Sequence, residues 1–505
     1  MILSKATIGK ISSDAFKTPD PAMFQLPEKV LQFGTGVLLR GLPDYFIDKA
    51  NRAGKFNGRV VVVKSTAGGE PETFGKQDSL YTICVRGIDE GNTVSENIIS
   101  AAISRVLVAK TEWMKVLELA ASRDLKIVIS NTTEVGISLV NEPIIDNVPE
   151  SFPGKLLAFL FERYKQLGAD PESGMIIIPT ELIVDNGKKL QAILNELAVY
   201  NALDSHFVEW LNTANTFCSS LVDRIVPGKP SEEVRNEIQE KAGYTDDLMI
   251  MAEVYRLWAI QGDDRVRETL SFAGIDAGVI IEPDIDVYRE LKLRMLNGTH
   301  TLSCGLAVLA GFETVKLAMT DGDMSDFIAS LMLDEISAGI PYRLEPGAAS
   351  AFGRQVLDRF RNPSIEHKWL SITVQFTSKI RMRNVPVLLK YYSDVQEVPS
   401  AMALGFAAYI LFMRSSKDND GRFYGSVNGV KYLIQDDKAA YLYQLWETAG
   451  ESRIVAAVLS DETLWGADLS ALPGFELAVT DYLADMIRQG GTETLKTFQQ
   501  KKKLA

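Results

Sequence analysis

The chain has 505 residues, of which 46% are hydrophobic and 24% are charged, and its formal net charge is −13. That length is too great for one hydrophobic core, so two domains of similar size are expected. The acidic balance disfavours nucleic acid and anionic membrane surfaces as partners, because both require a basic face.

The cysteine content indicates the compartment. Cys84, Cys218 and Cys304 are too few and too scattered for a disulfide framework, and they lack the spacing of a metal site. The N-terminal segment lacks the apolar core of a secretory signal. The longest uncharged apolar run, residues 401–413, is too short to span a bilayer and predicts a buried helix. We therefore expect a cytoplasmic protein without a bound metal.

The first half of the chain alternates apolar runs with helical patterns, which predicts an α/β domain built on an open parallel sheet. The region 80–108 is predicted to form two strands joined across a DEGN turn. Other strands are predicted at residues 29–33, 59–64, 126–130 and 175–179, and helices are predicted up to residue 53, at 112–123 and at 188–200.

From about residue 283 the pattern becomes helical, with little strand-like alternation. We therefore place the domain boundary there, with one domain over residues 1–283 and a mostly α-helical domain over residues 284–505. The predicted helices are 287–297, 299–318, 323–336, 349–361, 400–415, 437–449, 451–458 and 475–490.

A glycine string, Gly34-Thr35-Gly36, directly follows the first predicted strand and its last residue, Phe33. Glycines in such a turn let the backbone approach a pyrophosphate. The usual third glycine is missing, so the string alone is equally compatible with an ordinary strand–helix turn. The second strand ends at Lys64 instead of the acidic residue that accepts from ribose hydroxyls. The sequence therefore leaves NAD and NADP both open.

Two further polar strings follow predicted strands, at the edge where ligands bind in open parallel sheets. Asn186 could donate an amide N–H to a developing oxyanion, although Asp-Asn-Gly is also typical of a turn. The other string suits a ribose or a nicotinamide, although a capped loop explains it equally well. Its candidate cofactor-binding residues are Asn131, Thr132, Thr133 and Glu134.

The string LKLRMLNGTH, residues 291–300, places three polar side chains on one side of an otherwise apolar helix. At roughly 100° per residue, Lys292, Asn297 and His300 fall within an arc of about 140°. A lysine can transfer a proton, an amide can polarise a carbonyl and an imidazole can orient a hydroxyl. In isolation, such a set of side chains more often lies on a solvated surface. Because the glycine string and the polar strings occur in the same chain, we favour a catalytic role for it, at a carbonyl or alcohol carbon.

A basic run lies further along the second half. Lys379, Arg381 and Arg383 alternate with apolar residues, after Arg361 and His367. Arginine forks match carboxylates, so this run either binds an acidic substrate or forms a solvated edge.

Taken together, these strings resemble the polyol-specific long-chain dehydrogenase/reductase family, also called the mannitol dehydrogenase family, and the resemblance covers nearly the whole chain. It implies a Rossmann-like NAD-binding domain over residues 1–283, a mostly helical substrate-binding domain over 284–505 and an active site in the cleft between them. The strings are GTGVLLRG, QDSLYTICVRG (77–87), SNTTEVGIS (130–138), IIIPTELIVDNG (176–187), FCSSLVDRIVPGKP (217–230), LKLRMLNGTHT (291–301) and RFRNPSIEH (359–367).

The resemblance also implies metal-independent hydride transfer on a small sugar acid. Lys292 would be the acid/base, Asn297 and Asn186 would polarise the carbonyl, and His300 would orient the substrate. The chain lacks an aromatic residue that is common after the second glycine, and it has Lys64 near a position that is acidic in mannitol-oxidising relatives. The prediction of NAD as the cofactor therefore depends on the resemblance to the family, whose members commonly use NAD.

Three other interpretations remain. A sister reductase of the same family would act on a uronate that differs in stereochemistry at one carbon, which the sequence alone does not distinguish. A neutral polyol as substrate would give no reason for the basic run at 379–383. A non-catalytic nucleotide sensor would need the glycine string, but it would not need Lys292, Asn297 and His300 together.

Overall fold

The computed structural model describes residues 1–11, 16–65, 71–132 and 136–504. The chain forms two compact units, which we call the N-terminal unit and the C-terminal unit. The first comprises Met1–Gly87 and Thr93–Ile285, and the second comprises Ile88–Asn92 and Asp286–Ala505.

The N-terminal unit is built on a six-stranded sheet in the order β5-β2-β1-β6-β7-β8, with parallel pairing throughout. Counted along the chain this is the order 3-2-1-4-5-6 of a Rossmann fold, which reverses between β1 and β6. The strands up to residue 285 are β1 (Glu28–Phe33), β2 (Arg59–Lys64), β3 (Tyr81–Asp89), β4 (Asn92–Ser100), β5 (Ile103–Val108), β6 (Ile127–Ser130), β7 (Ile176–Pro179), β8 (Thr216–Phe217), β9 (Ser220–Asp223), β10 (Ile250–Glu253), β11 (Leu257–Gln261) and β12 (Val279–Glu282).

Both faces of this sheet are covered. Val30 and Ile129 belong to one apolar core, whereas Leu31 and Val128 belong to the core on the opposite face. Because neighbouring residues of a strand point to opposite faces, strands buried on both sides are continuous apolar runs. That is why the sequence predicts them so clearly.

The helices of this unit are α1 (Val37–Gly41), α2 (Pro43–Arg52), α3 (Pro71–Lys76), α4 (Ala109–Glu118), α5 (Phe152–Leu167), α6 (Asn186–Tyr200), α7 (Ser205–Thr213), α8 (Glu232–Ala242) and α9 (Asp264–Thr269). The helix predicted up to residue 53 is present, but it is divided into α1 and α2. The backbone breaks at Leu42 (φ −130°, ψ −77°), and Pro43 begins α2. Proline lacks the N–H that a continuous helix needs but is well placed in a first turn.

The two strands predicted to be joined across the DEGN turn are present as β3 and β4, but a third strand within residues 80–108, β5, was not predicted. The structure has three: β3 and β4 are neighbours in a small sheet with β10, and β5 is an edge strand of the main sheet. Glu90 (φ 48°) and Gly91 (φ 77°) make the turn between β3 and β4. Two consecutive positive φ angles suit a tight hairpin turn.

The C-terminal unit is mostly helical, as predicted. Its helices are α10 (Asp286–Leu291), α11 (Thr299–Leu309), α12 (Val315–Ala318), α13 (Gly322–Ser330), α14 (Ala348–Phe360), α15 (Trp369–Ile372), α16 (Phe376–Lys379), α17 (Val385–Asp394), α18 (Ser400–Phe412), α19 (Ala439–Ala449), α20 (Ile454–Leu459), α21 (Glu462–Trp465) and α22 (Phe475–Leu504). A small antiparallel sheet, which the sequence did not predict, contains β13 (Ser416–Lys417), β14 (Phe423–Val427) and β15 (Val430–Leu433).

The centre of this unit is α18, which packs against α11 and α22 and is almost entirely buried, as predicted for the apolar run 401–413. No helix in the described part of the chain is long and apolar enough to cross a membrane. The single helix predicted over 299–318 was wrong: it is two helices, because the chain turns at Gly311 (φ 88°) after α11. Glycine adopts that conformation without strain.

Three helical stretches have π-helical hydrogen bonding: π1 (Lys292–Gly298), π2 (Leu331–Ile336) and π3 (Ile380–Asn384). Such stretches are rare and occur frequently at functional sites. π1 joins α10 to α11, and π3 joins α16 to α17. The angular spacing of a regular α-helix therefore does not hold across either segment.

Candidate active site

The glycine string lies where the order of the main sheet reverses, at the carboxyl ends of β1 and β6. The backbone N–H of Gly34 (φ 123°) donates to Val63 O at 3.1 Å. A Cβ on Gly34 would lie 2.8 Å from Asn131 O, so only glycine fits there. Gly36 is exposed, with open space beyond its Cα. Ligands bind at such a reversal point in open α/β sheets.

The remaining residues of this turn have different environments. Thr35 is half-buried beside the turn. Phe33 is fully buried, with its ring centroid 5.1 Å from that of Phe152, and so it supports the turn from within the core. Lys64 ends β2 and is only 6% exposed. Its side chain is therefore not a solvated surface lysine.

The loop after β6 is held by a buried carboxylate that the sequence analysis missed. Glu181 is 3% exposed. Its Oε1 accepts from the backbone N–H of Thr132 (2.9 Å) and from Thr132 Oγ1 (3.0 Å), and its Oε2 accepts from Ser130 Oγ (3.1 Å). The amide of Asn131 donates to Thr180 O and Oγ1 at 3.1 and 3.0 Å. The candidates Thr133 and Glu134 lie outside the described residues.

Asn186 begins α6 and is completely buried. Its Nδ2 donates to the backbone oxygens of Pro179 (3.0 Å), Glu181 (3.0 Å) and Ser220 (3.1 Å), and its Oδ1 accepts from the N–H of Ser220 (2.9 Å). Both hydrogens of the amide are therefore engaged. In this arrangement Asn186 clamps the end of β7 to β9 and has no free donor for a substrate oxygen.

In the C-terminal unit, Lys292 and Asn297 lie on π1, and His300 lies in the first turn of α11. Lys292 and Asn297 are half-buried, and His300 is 8% exposed. The Asn297 backbone oxygen accepts from Thr301 Oγ1 (2.7 Å) and from Arg383 Nη1 (3.5 Å). Its side-chain amide makes no hydrogen bond to any residue that the structure describes, so it is free to bind a ligand.

The imidazole of His300 is enclosed by aromatic rings. Its centroid lies 4.1 Å from Phe360, 5.1 Å from His367 and 5.9 Å from Trp369. Burial holds the pKa of His300 well below its ordinary value, and neighbouring positive charge lowers it further. The imidazole is therefore neutral at physiological pH. Its buried Nε2 has no hydrogen-bond partner among the described residues.

The charged groups that act most strongly on His300 are all basic: His367, Arg359, Arg383 and Lys379. Arg359, on α14, is 8% exposed and was not among the candidates from sequence. Arg359, Arg383 and Lys379 therefore place positive charge around a buried, neutral ring. Such an environment favours an anionic ligand, and a carboxylate above all.

The basic run separates into two groups. Lys379 and Arg383 both act on His300, whereas Arg381 is exposed and bonds elsewhere. Arg383 Nη1 donates to Thr301 Oγ1 at 3.0 Å, and Lys379 donates to Ile372 O at 3.0 Å. Burial lowers the pKa of both groups, and Arg383 Nε is buried without a partner within the described ranges.

The other two candidate cations face the surface. Arg381 is exposed and donates to Thr463 O at 3.3 Å. Arg361 is exposed and lies 3.5 Å from the carboxylate of Asp358. His367, by contrast, is half-buried beside His300, and burial lowers its pKa. The structure therefore brings Lys379, Arg383 and His367 to the surroundings of His300 and leaves Arg361 and Arg381 outside.

Among the described residues, no group of three or more His, Cys, Asp or Glu side chains is arranged to hold a metal ion.

Comparison with known proteins defines the class first. Residues 28–274 match the model of the mannitol dehydrogenase Rossmann domain, and residues 284–487 match that of the mannitol dehydrogenase C-terminal domain. With the Rossmann-type sheet described above, these matches define an oxidoreductase that acts on a CH–OH group. More narrowly, the chain belongs to the mannitol dehydrogenase family, which confirms the resemblance seen in the sequence.

Two relatives illustrate the match. The chain is 37% identical over 479 residues to altronate oxidoreductase of Bacillus subtilis (strain 168), covering 94% of this chain and 96% of the relative. It is 38% identical over 475 residues to altronate oxidoreductase of Halalkalibacterium halodurans, covering 92% and 91%.

Two solved structures have the same fold. A substrate-free D-sorbitol dehydrogenase superposes with a TM-score of 0.75 at 20% identity, covering 98% of this chain and 100% of that one. Pseudomonas fluorescens mannitol 2-dehydrogenase, in a ternary complex with NAD and D-mannitol, gives a TM-score of 0.64 at 20% identity, covering 99% and 100%.

Proposed function

We propose that this chain is an NAD-dependent altronate oxidoreductase, also called tagaturonate reductase, which interconverts D-altronate and D-tagaturonate. The observation that carries the proposal is the basic environment of His300, in a chain 37% and 38% identical to enzymes named altronate oxidoreductase. A sugar acid has a carboxylate that needs such cations, whereas a neutral polyol has none. A nucleotide sensor would need neither these cations nor the free amide of Asn297.

The N-terminal unit fits a dinucleotide. The open space at Gly36, the half-buried Thr35 and the polar loop at Asn131 and Thr132 surround the reversal point of the sheet. NAD follows the habit of the family, while Lys64 at the end of β2 keeps NADP as the alternative. When bound, the nicotinamide group supplies or accepts the hydride.

Lys292 acts as the acid/base. In the reducing direction its ammonium group donates a proton to the ketone oxygen, and in the oxidising direction its amine removes the hydroxyl proton. The free amide of Asn297 donates to the same oxygen and stabilises its developing negative charge. The neutral His300 orients a neighbouring hydroxyl of the substrate. Asn186 contributes by fixing the end of β7, since its own donors are occupied.

Arg383 and Lys379 bind the carboxylate of the sugar acid. Both are partly buried, and Arg383 retains an unpaired, buried Nε. His367 adjoins them through its contact with His300. Arg361 and Arg381 are assigned to the surface, because each already has a partner there.

The second candidate is fructuronate reductase, of the same family, whose substrate differs in stereochemistry at one carbon. The strings NTTEVGIS, CSSLVDRIV and LYT-x3-RG favour the tagaturonate branch. The deciding experiment follows NADH oxidation by absorbance with D-tagaturonate and D-fructuronate in parallel, with NADPH as the cofactor control. We expect turnover with D-tagaturonate and NADH. Preference for D-fructuronate would assign the sister activity, and no turnover with either substrate and either cofactor would overturn the proposal.

A further inference from the structure

The two π segments that carry the proposed reactive groups pack against each other within the C-terminal unit. π1 carries Lys292 and Asn297, and π3 carries Arg383. At the junction between a π-helical segment and an α-helix, the hydrogen-bond pattern changes, and a backbone oxygen there has no N–H donor within its own helix. Such oxygens need donors from elsewhere when they are buried.

Each segment supplies a side chain to the backbone of the other. From π1, Arg294 Nη1 donates to Met382 O at 2.6 Å and to Arg383 O at 3.0 Å. From π3, Asn384 Nδ2 donates to Gly298 O at 3.0 Å. We call this reciprocal set of bonds between Arg294 and Asn384 and the facing backbones the clasp.

The clasp is buried and closely fitted. Arg294 is 8% exposed and Asn384 is 1% exposed. The charge of Arg294 is matched by Glu290, whose carboxylate lies 2.9 Å from Arg294 Nε. A Cβ on Gly298 would lie 3.1 Å from Asn384 Nδ2, so a larger residue there would push against the Asn384 amide.

We infer that Arg294 and Asn384 are positioning residues that set the distance between the acid/base group on π1 and the carboxylate anchor Arg383 on π3. The inference rests on the proposed function, in which these two groups hold different parts of one sugar acid. The distance between them decides whether an anchored substrate presents its reacting carbon to Lys292. A misplacement of about 1 Å is enough to reduce turnover by roughly 100-fold.

The test is a double-mutant cycle between Arg294→Lys and Arg383→Ala in the full chain, measured with D-tagaturonate. Lysine preserves the positive charge, but its single, shorter-reaching ammonium group cannot reproduce both the Nε bond to Glu290 and the Nη1 bonds to Met382 O and Arg383 O. We expect Arg294→Lys to lower kcat roughly 10- to 100-fold, with a much smaller change in KM. In Arg383→Ala the substrate carboxylate is no longer anchored, so a shift of π3 relative to π1 no longer misplaces the substrate. Arg294→Lys should then change kcat by less than about twofold, and the effects of the two substitutions on kcat should therefore not be additive.

The matched control is Arg163, a buried arginine of the N-terminal unit with a purely structural set of bonds. It is 0% exposed and donates to the backbone oxygens of Ser173, Ala120, Ser122 and Leu125. Arg163→Lys is expected to lower the midpoint of thermal unfolding and to leave kcat with D-tagaturonate within about twofold of the wild type, in both backgrounds.

Asn384→Ala repeats the cycle from the other side of the clasp, in case Arg294→Lys does not fold. We expect the same loss of kcat and the same coupling to Arg383→Ala. Additive effects, within about twofold, in the cycles of the variants that fold would overturn the inference while leaving the proposed function intact. Absence of wild-type turnover with either uronate would overturn the proposed function, and this inference with it.

Discussion

The imidazole of His300 lies flat against the ring of Phe360, with centroids 4.1 Å apart and planes inclined by 14°. His300 is on α11 and Phe360 ends α14. The stack therefore joins the string that carries Lys292, the proposed acid/base, to the helix that carries Arg359. By excluding water from one face of the imidazole, Phe360 contributes to the burial that lowers the pKa of His300.

Replacing Phe360 should make His300 titrate at a higher pH. In Phe360→Ala, water reaches the ring and the pKa of His300 rises towards its ordinary value of 6.5. A protonated imidazole cannot accept a hydrogen bond, so we expect the acid limb of kcat/KM to move to higher pH. The measurement is the profile of kcat/KM from about pH 5 to about pH 8.5, the range in which histidine titrates.

Phe498→Ala is the matched control for this profile. Phe360 and Phe498 are both 4% exposed, both lie in helices of the C-terminal unit, and Phe498 packs against Phe327 instead of His300. The control should lower thermal stability and leave the acid limb in place. An equal movement of the limb in both variants would show that general loosening, and not exposure of His300, is responsible.

Removal of Lys292, the proposed acid/base, should abolish most turnover. Lys292→Ala is expected to reduce kcat by roughly 100- to 10,000-fold, the usual contribution of a positioned general acid or base. The substrate KM should change much less, because the carboxylate anchor remains. Initial rates of NADH oxidation measure both. The control is Lys390→Ala, which removes a lysine paired with Asp394 at the surface (2.8 Å) and should leave both constants unchanged. If Lys292→Ala kept most of its turnover, another group would have to transfer the proton.

The two arginines of the basic run should differ sharply. A hydrogen bond to a charged group contributes about 1.5–3 kcal/mol, so Arg383→Ala should raise KM for the uronate roughly 10- to 150-fold. Arg381→Ala, two residues away, removes an exposed side chain bonded to Thr463 O and should leave KM within about twofold. Measuring KM for D-tagaturonate in both variants tests the assignment, and equal effects would contradict it.

Much of the fold was predictable, because the evidence for it is local. β2 is a run of six buried residues, and α18 is apolar around its whole circumference, so both are readily identified in the sequence. The errors occur where one residue interrupts a regular pattern, as Gly311 does after α11. A periodicity averaged over a window does not register such a break.

The candidate site was predictable only where its residues are close in sequence. The string 291–300 was predicted because its polar side chains recur at a helical spacing in the sequence. Glu181 and Phe360 were missed, because their roles come from contacts with Thr132 and His300, residues that are distant in the chain. The separation of Arg383 from Arg381 is seen only in their contacts, with Thr301 and Thr463 respectively, whereas the alternating pattern suggested a common face.

The buried carboxylate of Asp44, close to the glycine string, should make the free energy of unfolding depend on pH. Asp44 is 0% exposed, its Oδ2 lies 3.4 Å from Gln32 Nε2, and its Oδ1 has no partner among the described residues. Burial is the main reason that its pKa is raised from 3.8 to about 7. Gln32 in turn reaches Gly34 O at 3.4 Å, so the carboxylate lies just beneath the turn proposed to bind the cofactor.

Asp44→Asn should therefore stabilise the chain at alkaline pH and not at acidic pH. The unfolded chain releases this proton near pH 3.8, whereas the folded chain keeps it until about pH 7. Stability thus falls as the pH rises between those values and stays lower above them. At about 1.4 kcal/mol per pKa unit, the variant should gain at most roughly 4 kcal/mol at pH 8. Urea denaturation at about pH 4.5 and pH 8 measures the difference.

Asp48→Asn, one helical turn later, is the control. It breaks an ion pair with Arg52 (2.6 Å) and should destabilise the chain at pH 8 instead. A stabilisation by Asp44→Asn that is equal at both pH values would show that ionisation of Asp44 is not its cause.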